Sequence, residues 1–531
     1  MRAADLFIRC LEAEGVEMIF GIPGEENMDV MDALIDSTIK FTLTKHENSA
    51  AFIANACARL TGKAGVCLST LGPGATNMAT GVADAFLSNV PLIAITGQVG
   101  AERAYHPTKQ YIDLVQMFKP ITKDSFSIKT ASRIPVQTRR AFSLACEEKP
   151  GPVHLELPED VMKDKIEGRP VRRSEKHLIH CEPGQAVSVR KVFSGSRTPI
   201  IFAGPGAIRA GATTELNAFA RAWNMPVVHT WYGAGIIPYD DPLSLNTVGL
   251  RASDTVRGAF FEADLVVLVG YDLPEFSPNY WNVGKQKEVV VIDSVPAETV
   301  PNFEPSLQVI GDLRGTLVRL TSGAIPRPNW IAPFKEDLKE CIQKCPSDGS
   351  PVKPQLAVKA IREVLGRGDI CTSDVGAHLI WLAKRYPVFE PNTLLLSNGL
   401  IPMGVGVPSA IGAKLVHPEK KVVAVCGDAG FMMSGSELET ANRLGTNFVT
   451  VIFDDRDLGL IRTKHQRALG RHFDTSFGNP DFVRFAESFG AKGYRVGSAA
   501  ELQEALRSAL ASDELAVIDV PVDYEENKSL F

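Results

Sequence analysis

The sequence predicts an α/β protein made of three doubly wound domains with parallel sheets. Its 531 residues exceed what one hydrophobic core usually organises and indicate three domains, or four at most. Strand-like and helix-like patterns alternate along the chain, as they do where crossover helices join parallel strands. The clearest β-α-β unit lies at residues 427–455, GDAGFMMSGSELETANRLGTNFVTVIFDD, and it is the strongest single sign of this fold class.

The β-α-β unit places two carboxylates at the ends of neighbouring strands. The β-branched run KKVVAVC predicts a strand that ends at Gly427 and Asp428, and residues 447–453 predict a second strand shortly before Asp455. Open α/β sheets bind ligands at these carboxyl ends. Two carboxylates beside a helix N-terminus suit Mg²⁺, which prefers oxygen ligands, together with a diphosphate. The alternative is an ordinary β-α-β unit whose aspartates are solvated.

The same stretch resembles the cofactor motif of thiamine diphosphate (ThDP) enzymes, in which GDG is followed by a crossover and an Asn-Asn pair. Ala429 replaces the second glycine, and Asp455 replaces the second asparagine, as in the FAD-independent, catabolic acetolactate synthases. The resemblance implies that Mg²⁺ is held by the side chains of Asp428 and Asp455 and by the backbone carbonyl of Asp457. The cofactor contacts implied here are Gly427, Asp428, Ala429, Gly430 and Asp455.

Composition and charge indicate a cytoplasmic enzyme that acts on small molecules. The hydrophobic fraction of 45% and the charged fraction of 22% are typical of a soluble globular protein, and a net charge of −6 argues against a nucleic-acid partner. No apolar run approaches about 18 residues, so no membrane span is expected. The opening MRAADLFIRCLEAEG predicts an amphipathic helix rather than a secretion signal.

The nine cysteines are scattered along the chain, as expected for reduced thiols. Cys341 and Cys345 could lie on one side of a helix as half of a zinc site. There is no second pair to complete such a site, so zinc is not favoured.

The first domain, residues 1–165, is expected to bind the pyrimidine part of the cofactor. VEMIFGIPG predicts a strand that enters a tight turn at Gly24, and FTLTKHENSAAFIANACARLTG predicts a strand and then a helix that begins near Glu47. A glutamate at a helix N-terminus is common, because the macrodipole favours it. The segment also resembles the RHE-x-x-AA-x-x-A element of ThDP enzymes. This resemblance implies that Glu47 hydrogen-bonds N1′ of the aminopyrimidine and that Gly24 lies at the cofactor.

Gln110, in HPTKQYIDL, matches a glutamine that lies near the reacting centre in the same family. A plain surface amide is an equal alternative for this residue.

The central domain, residues 184–322, is expected to be Rossmann-like. Its strands are predicted at TPIIFAGPG, DLVVLVGYD and EVVVID, after a surface linker rich in Pro, Arg and Lys, MKDKIEGRPVRRSEKHLIHCEPG. The stretch AGPGAIRAG departs from the dinucleotide fingerprint GxGxxG, because Arg209 occupies the third glycine position. VGYDLPEFSPNYWN resembles the matching segment of the FAD-independent members. Bound FAD is therefore not expected.

The last domain, residues 351–531, is expected to bind the diphosphate and follows a second linker, from GAIPRPNWIAPFKE to CPSDGSPVKP. The glycines of LIPMGVGVPSAIG allow a flat ring to approach the backbone. Met403 precedes them and is, taken alone, best explained as a core methionine. The resemblance implies instead the apolar residue beneath the cofactor that enforces its bent conformation. From TSDVGAHLIWLAKRY it adds the cofactor contacts Val375, Gly376 and His378.

The resemblance covers the whole chain and implies a ThDP-dependent acetolactate synthase of the FAD-independent, catabolic type. Such an enzyme condenses two molecules of pyruvate to 2-acetolactate with loss of CO₂. Glu47 and Asp428 lie in different domains, so active sites are expected between the subunits of a homodimer or homotetramer. Two alternatives stay open. One is another ThDP-dependent 2-oxo acid decarboxylase or carboligase with a different, possibly anionic, acceptor, and the other is a catalytically inactive ThDP-binding subunit.

Lys464, in DLGLIRTKHQ, is expected to act at the active-site mouth, on a helix where biosynthetic relatives carry a tryptophan that packs on the extra methyl group of 2-oxobutyrate. A solvated lysine is the plainer alternative. One methylene is worth about 1–3 kcal/mol in an apolar pocket. We therefore predict near parity between pyruvate and 2-oxobutyrate as acceptors, and a shift toward 2-oxobutyrate in Lys464→Trp, measured by direct competition.

A wild-type preference for 2-oxobutyrate of tenfold or more, roughly 1.4 kcal/mol, would rule out the catabolic type. A much faster reaction with a dicarboxylate or a sulfonated acceptor would instead support an enzyme whose Lys464 ammonium attracts an anionic acceptor.

Overall fold

The computed structural model describes residues 1–173, 180–249, 256–285, 287–298 and 300–530. It contains three six-stranded sheets whose paired strands are parallel, each flanked by helices. The predicted α/β class with three parallel-sheet domains is confirmed. Residues 174–179 of the predicted first linker lie outside the described residues. No helix in the described ranges is both long and apolar enough to cross a membrane.

The first domain alternates strands and helices as its sequence predicts. Its strands are β1 Met18–Gly21, β2 Lys40–Leu43, β3 Gly65–Ser69, β4 Leu92–Gln98, β5 Asp124–Ser127 and β6 Pro152–Pro158. Its helices are α1 Ala3–Ala13, α2 Met28–Ile35, α3 Glu47–Thr61, α4 Pro73–Leu87, α5 Ala101–Ala104, α6 Leu114–Phe118, α7 Ile134–Cys146 and α8 Glu159–Lys163. The strand order is β2-β1-β3-β4-β6-β5.

Helix α3 is defined by its two ends and by its small residues. His46 precedes it in an extended conformation, and its side chain accepts a hydrogen bond from the backbone N–H of Asn48, 3.1 Å away. The helix ends at Gly62 in the left-handed region, with φ 69°. Alanines and other small side chains between these ends allow burial on several sides.

The central domain has the strand order of the Rossmann fold. Its strands are β7 Pro199–Ala203, β8 Val227–His229, β9 Ser244–Thr247, β10 Leu265–Val269, β11 Glu288–Asp293 and β12 Leu307–Ile310, and its helices are α9 Pro183–Gly195, α10 Pro205–Arg209, α11 Thr213–Trp223, α12 Arg257–Glu262, α13 Pro278–Trp281 and α14 Leu313–Thr321. The sheet runs β12-β11-β10-β7-β8-β9. Strands β7 and β10 therefore flank the switch point where such sheets bind dinucleotides.

The second predicted linker holds a helix, α15 Ala332–Gln343. Ile331 and Leu338 are buried in the core of the central domain. Lys335 Nζ donates to the backbone carbonyls of Tyr239, Asp241 and Ser244 at 2.6–3.0 Å. The prolines concealed the apolar spacing of this helix, and the segment is an integral part of the central domain.

The third domain contains the predicted β-α-β unit. Its strands are β13 Ile370–Ser373, β14 Leu394–Leu395, β15 Val422–Gly427, β16 Val449–Asp454, β17 Lys492–Arg495 and β18 Ala516–Pro521. Its helices are α16 Pro354–Val364, α17 Ala377–Arg385, α18 Gly406–Val416, α19 Asp428–Ser434, α20 Glu437–Leu444, α21 Gly459–Leu469, α22 Phe482–Ser488 and α23 Ala499–Ser512. The sheet runs β14-β13-β15-β16-β18-β17.

The first and third domains share one strand arrangement and pack against each other. In each, the first strand lies between the second and the third, so the switch point lies between β1 and β3 or between β13 and β15. Helices α3 and α18 contact closely, and their buried residues belong to one hydrophobic cluster. A Cβ on Gly412 would lie 2.9 Å from the Cβ of Ala56. The glycine therefore sets the close approach of the two helices. The domain limits 1–165, 184–322 and 351–531 stay predictions.

Candidate active site

A cavity of about 120 Å³ lies at the carboxyl ends of β13, β15 and β16. This is the switch point of the third sheet, where an open α/β sheet is expected to bind its ligand. The structure brings together here all the residues predicted to surround the diphosphate and its metal. They are Val375, Gly376, His378, Met403, Gly427, Asp428, Ala429, Gly430, Asp455 and Asp457.

Asp428 is buried and held by three donors. Its Oδ1 accepts from the N–H of Ala429 at 2.8 Å, and its Oδ2 accepts from the N–H of Arg456 at 2.7 Å and from Nδ2 of Asn479 at 2.8 Å. Burial raises the pKa of this carboxyl, and the hydrogen bonds oppose the rise. The carboxylate thus has a fixed orientation at the cavity.

Asp455 is half-buried, and one oxygen of its carboxylate has, within the described part of the chain, no hydrogen-bond donor to stabilise the negative charge. Its Oδ2 is enclosed and has no hydrogen-bond donor among the described residues. Burial, and then the nearby carboxylates of Asp428 and Asp457, raise its pKa to about 8, although Arg462 opposes them. Like charges in a desolvated site disfavour ionisation unless a cation lies between them. An unpartnered oxygen beside a second carboxylate therefore fits a divalent cation.

One oxygen of the Asp457 carboxylate is already engaged. Its Oδ2 accepts from Nη1 of Arg462 at 2.9 Å and from Oγ of Ser476 at 3.0 Å. Its Oδ1 is enclosed and has no hydrogen-bond partner among the described residues. The backbone carbonyl of Asp457 as a metal ligand therefore stays a prediction from the resemblance. No group of three or more His, Cys, Asp and Glu side chains in the described part of the chain is arranged to hold a metal. A cation here needs other oxygens, as Mg²⁺ has when it shares substrate phosphates.

Alanine in place of the second glycine of GDG is compatible with the backbone conformation at residue 429. Ala429 is the second residue of α19 and is not among the residues with positive φ, so a side chain is tolerated there. Gly430 is the constrained position, because a Cβ would lie 2.8 Å from the carboxyl carbon of Asp374. The motif therefore needs a glycine at 430 and accepts an alanine at 429.

His378 contributes a neutral imidazole to the cavity. Burial lowers its pKa to about 4, although a hydrogen bond with the backbone of Asp374 acts in the other direction. Its Nε2 has no partner among the described residues. A neutral ring with one free nitrogen can accept a hydrogen bond or, in its other tautomer, donate one to an anionic ligand.

The loop that carries Met403 is fixed by Asp374. Both oxygens of this buried carboxylate accept from the N–H of Gly404, at 2.9 and 3.0 Å, and Oδ1 also accepts from the N–H of Val375 at 2.6 Å. Burial raises the pKa of Asp374 to about 6. Gly404 has φ 86°, which favours glycine. These contacts place Met403 at the wall of the cavity.

The predicted residues of the first domain meet elsewhere, around residues 70–74, where a loop leads into α4. Glu47 is buried, and its Oε2 accepts from Nδ2 of Asn77 at 3.0 Å. A Cβ on Gly24 would lie 2.4 Å from the Cβ of Thr70, one on Gly74 would lie 3.1 Å from Oε1 of Glu47, and one on Gly72 would lie 2.5 Å from the carbonyl oxygen of Gln110. The loop therefore brings Gly24, Glu47 and Gln110 into one region.

The third-domain residues around Asp428 and the first-domain residues around Glu47 lie in two separate places, as two halves of a site would. Among the described residues, none of the first domain lines the cavity beside Asp428. Helix α21 forms one wall of that cavity through Gly459, Leu460 and Ile461. Lys464 lies one turn further along this helix, is exposed and does not line the cavity.

Asn479 is a site residue that the sequence did not suggest. Its Nδ2 bridges Oδ2 of Asp428 and Oδ1 of Asp454, at 2.8 Å each. It lies far along the chain from both, in a turn-like NP dipeptide, so no local pattern points to this contact. Asp374 directly follows β13 and so lies at the ligand-binding edge of the parallel sheet. No strand is predicted there from the sequence, so Asp374 was missed.

Three family models match the chain. Residues 1–117 match the N-terminal TPP binding domain of thiamine pyrophosphate enzymes, residues 188–320 match their central domain, and residues 374–520 match their C-terminal TPP binding domain. Thiamine pyrophosphate (TPP) is the same compound as ThDP. The matched residues include Glu47 in the first domain and Asp428 and Asp455 in the third.

Several proteins are similar to this chain over nearly its full length. A probable acetolactate synthase large subunit from Methanocaldococcus jannaschii is 37% identical over 99% of this chain and 93% of its own length. The acetolactate synthase of Bacillus subtilis is 33% identical, with 100% and 94% covered. A catabolic acetolactate synthase from Raoultella terrigena is also 33% identical, with 99% and 96% covered.

Asp428 and Asp455 should respond differently to substitution. We predict that Asp455→Asn keeps ThDP binding in the presence of Mg²⁺, because the amide retains a carbonyl oxygen, whereas Asp428→Ala loses it with the anionic ligand. Calorimetric titration of each variant with ThDP and Mg²⁺ measures this. Loss of binding in Asp455→Asn together with normal binding in Asp428→Ala would show that the ligands are assigned wrongly.

Asp455→Asn should also change the metal-free protein. The folded-state pKa of Asp455 is about 8 against an ordinary value of 3.8. The folded protein therefore loses stability from this group as the pH rises through that interval. The asparagine removes the penalty, so the melting temperature without Mg²⁺ should exceed that of the wild type at about pH 8 and match it at about pH 4.

Proposed function

We propose a carboligase reaction for this chain because it belongs to the acetolactate synthase family of thiamine pyrophosphate enzymes. In this reaction two molecules of pyruvate give 2-acetolactate and CO₂, with ThDP and Mg²⁺ as cofactors. The observation that carries the proposal is the unpartnered oxygen of Asp455, which lies near Asp428 in a cavity at the switch point of the third sheet.

The residues of the cavity suit the two cofactors. Asp428, Asp455 and the carbonyl of Asp457 would hold Mg²⁺, while His378 and the backbone at Gly430 would contact the diphosphate. When bound, ThDP supplies a thiazolium carbon that adds to the keto group and accepts the electrons released by loss of CO₂. Met403 would support the ring, and the apolar wall from α21 would exclude water from the reacting atoms.

Glu47 would hold a proton at N1′ of the aminopyrimidine. The side chain is buried and held by Asn77 at 3.0 Å. A carboxylic acid that donates to N1′ favours departure of the proton at C2 of the thiazolium ring. Gln110 lies beside the same loop and would contact the 2-oxo acid substrate.

A homodimer is proposed as the smallest active unit, and a homotetramer is compatible with it. The cavity beside Asp428 is lined by the third domain, and the first-domain residues meet elsewhere. A second copy would bring its Glu47 to this cavity. Met432 and Met433, on α19 next to the cavity, are 45% and 62% exposed, as expected for side chains that a second copy covers.

We also propose that the enzyme is cytoplasmic, that its substrates are small 2-oxo acids, and that it binds neither nucleic acid nor a membrane. All nine cysteines lie in the described residues, and none forms a disulfide, which suits a reducing compartment.

The central domain supports activity without flavin. At its switch point, a Cβ on Gly204 would lie 2.4 Å from the carbonyl oxygen of Gly270, so the glycines of this turn serve the packing of two backbone segments. Arg209, in the third position of the degenerate fingerprint, donates to Glu148 at 2.6 and 3.0 Å and to Asp272 at 3.0 Å. Arg209 thus stands where the fingerprint needs a glycine, and its guanidinium is held by two carboxylates, which disfavours a bound dinucleotide.

Incubation of the purified protein with pyruvate, ThDP and Mg²⁺ tests the proposed reaction. Release of CO₂ with formation of acetolactate is expected. Acetaldehyde in place of acetolactate would identify a decarboxylase, and the absence of CO₂ release would identify an inactive binding subunit. Other 2-oxo acids as acceptors distinguish a sister carboligase.

Glu47→Gln should keep the fold and the affinity for ThDP but lower turnover by about 10²–10⁴, the range expected for a lost proton transfer. Turnover measured at saturating ThDP separates this from weak binding. A variant that turns over like the wild type would exclude Glu47 from the mechanism.

The purified protein should be colourless and fully active without added flavin. The reasons for this expectation are Arg209 at the third glycine position and the resemblance of VGYDLPEFSPNYWN to the FAD-independent members. An absorption spectrum of the concentrated protein checks it. A stoichiometric flavin band at roughly 450 nm would contradict the assignment to the FAD-independent type.

A further inference from the structure

Glu437 of the third domain holds the backbone that leads into the catalytic helix of the first domain. It is the first residue of α20 and is fully buried. Its Oε1 accepts from the N–H of Lys45 at 2.9 Å and from the N–H of His46 at 3.1 Å. These are the two residues directly before Glu47. The contact therefore fixes the chain at the point where α3 begins.

The same carboxylate is oriented by hydroxyl groups from both domains. Oγ1 of Thr440, one turn along α20, donates to Oε2 at 2.6 Å, and Ser49 of α3 also donates to the carboxylate. Burial raises the pKa of Glu437, and these four donors oppose the rise. Every donor stabilises the ionised form. The group is thus a fully satisfied buried acceptor, not a proton donor to the substrate.

Other polar contacts between α20 and this segment are more exposed. Glu439 pairs with Nζ of Lys45 at 2.8 Å, with about a third of each side chain exposed. Arg443 donates to the carbonyl of Leu43. Surface ion pairs of this kind contribute little, since water screens them. Glu437 is the buried member of the set and the one that accepts from the two backbone N–H groups directly before Glu47.

We propose that Glu437 is a positioning residue that sets the orientation of Glu47 toward the cofactor. The inference rests on the proposed function, in which Glu47 donates to N1′ of the aminopyrimidine. Glu47 is the first residue of α3, so its side chain moves with the backbone of Lys45 and His46. Displacement of a catalytic group by about 1 Å can lower a rate by about 10². A loss of the two backbone bonds should therefore appear in proton transfer before it appears in cofactor affinity.

The test uses the full-length enzyme with ThDP and Mg²⁺ and three variants. Glu437→Gln keeps an oxygen that can accept from both N–H groups, and Glu437→Leu removes it at similar volume. Glu439→Gln is the matched control, because it changes the exposed neighbour on the same helix. For each variant the measurements are ThDP affinity, the exchange rate of the C2 proton of bound ThDP, turnover, KM for pyruvate and the melting temperature without ThDP.

Glu437→Leu should slow both C2 proton exchange and turnover by about 10–10², while ThDP affinity and KM stay within about threefold of the wild type. Glu437→Gln should stay within about threefold in exchange and turnover, because the acceptor is restored. Glu439→Gln should match the wild type. Should Glu437→Leu fail to fold, Thr440→Val serves in its place. It frees one oxygen of Glu437 and should slow exchange by about threefold to tenfold at unchanged ThDP affinity.

A folded Glu437→Leu with normal exchange would overturn the inference. So would a variant whose exchange falls only in proportion to its melting temperature and ThDP affinity, since that pattern belongs to general loss of structure. Glu47→Gln separates this result from failure of the proposed function. If Glu47→Gln is slow in exchange and Glu437→Leu is not, only the positioning role fails. If Glu47→Gln exchanges normally, the role of Glu47 itself fails.

Discussion

Repulsion between carboxylates at the ends of β15 and β16 governs the chemistry of the third domain. Asp428 accepts three hydrogen bonds, whereas Oδ2 of Asp455 accepts none among the described residues, and ionisation of both carboxyl groups in a desolvated cavity is unfavourable. In the proposed function, a divalent cation would resolve this conflict and would also bind the phosphate groups of the cofactor. In the proposed function, the neutral ring of His378 would face the anion held there, whereas Gly430 is already required by its close approach to Asp374.

The sequence predicted the features that depend on local patterns. The strand, glycine turn, helix and strand around Asp428 follow from residue periodicity, and parallel pairing then places Asp455 beside it. The start of α3 at Glu47 was predictable for the same reason. Residue identity alone left two readings of Glu47, and only its resemblance to a known motif favoured the catalytic one.

Residues that act through tertiary contacts could not be predicted. Asn479 reaches Asp428 from a turn far along the chain, and Glu437 reaches the backbone of Lys45 from another domain. Neither contact has a local signal, since each depends on how separate elements pack. Helix α15 was hidden for a different reason, because its flanking prolines resemble those of a linker. Arg209 replaces the third glycine of the fingerprint in the central domain. Its structural role follows only from its partners, Glu148 and Asp272, which the sequence did not indicate.

The segment from α19 to α20 begins at Asp428 and ends in the helix whose Glu437 accepts hydrogen bonds from the backbone directly before Glu47. In the proposed homodimer these two ends serve different catalytic centres. Each chain then contributes residues to two catalytic centres and completes neither of them alone. One consequence is genetic. Consider two alleles, one that encodes a variant damaged at Asp428 and one that encodes a variant damaged at Glu47. In a mixed dimer of the two proteins, both lesions fall in one centre and the other centre is intact. Two inactive variants could therefore form an active mixed dimer.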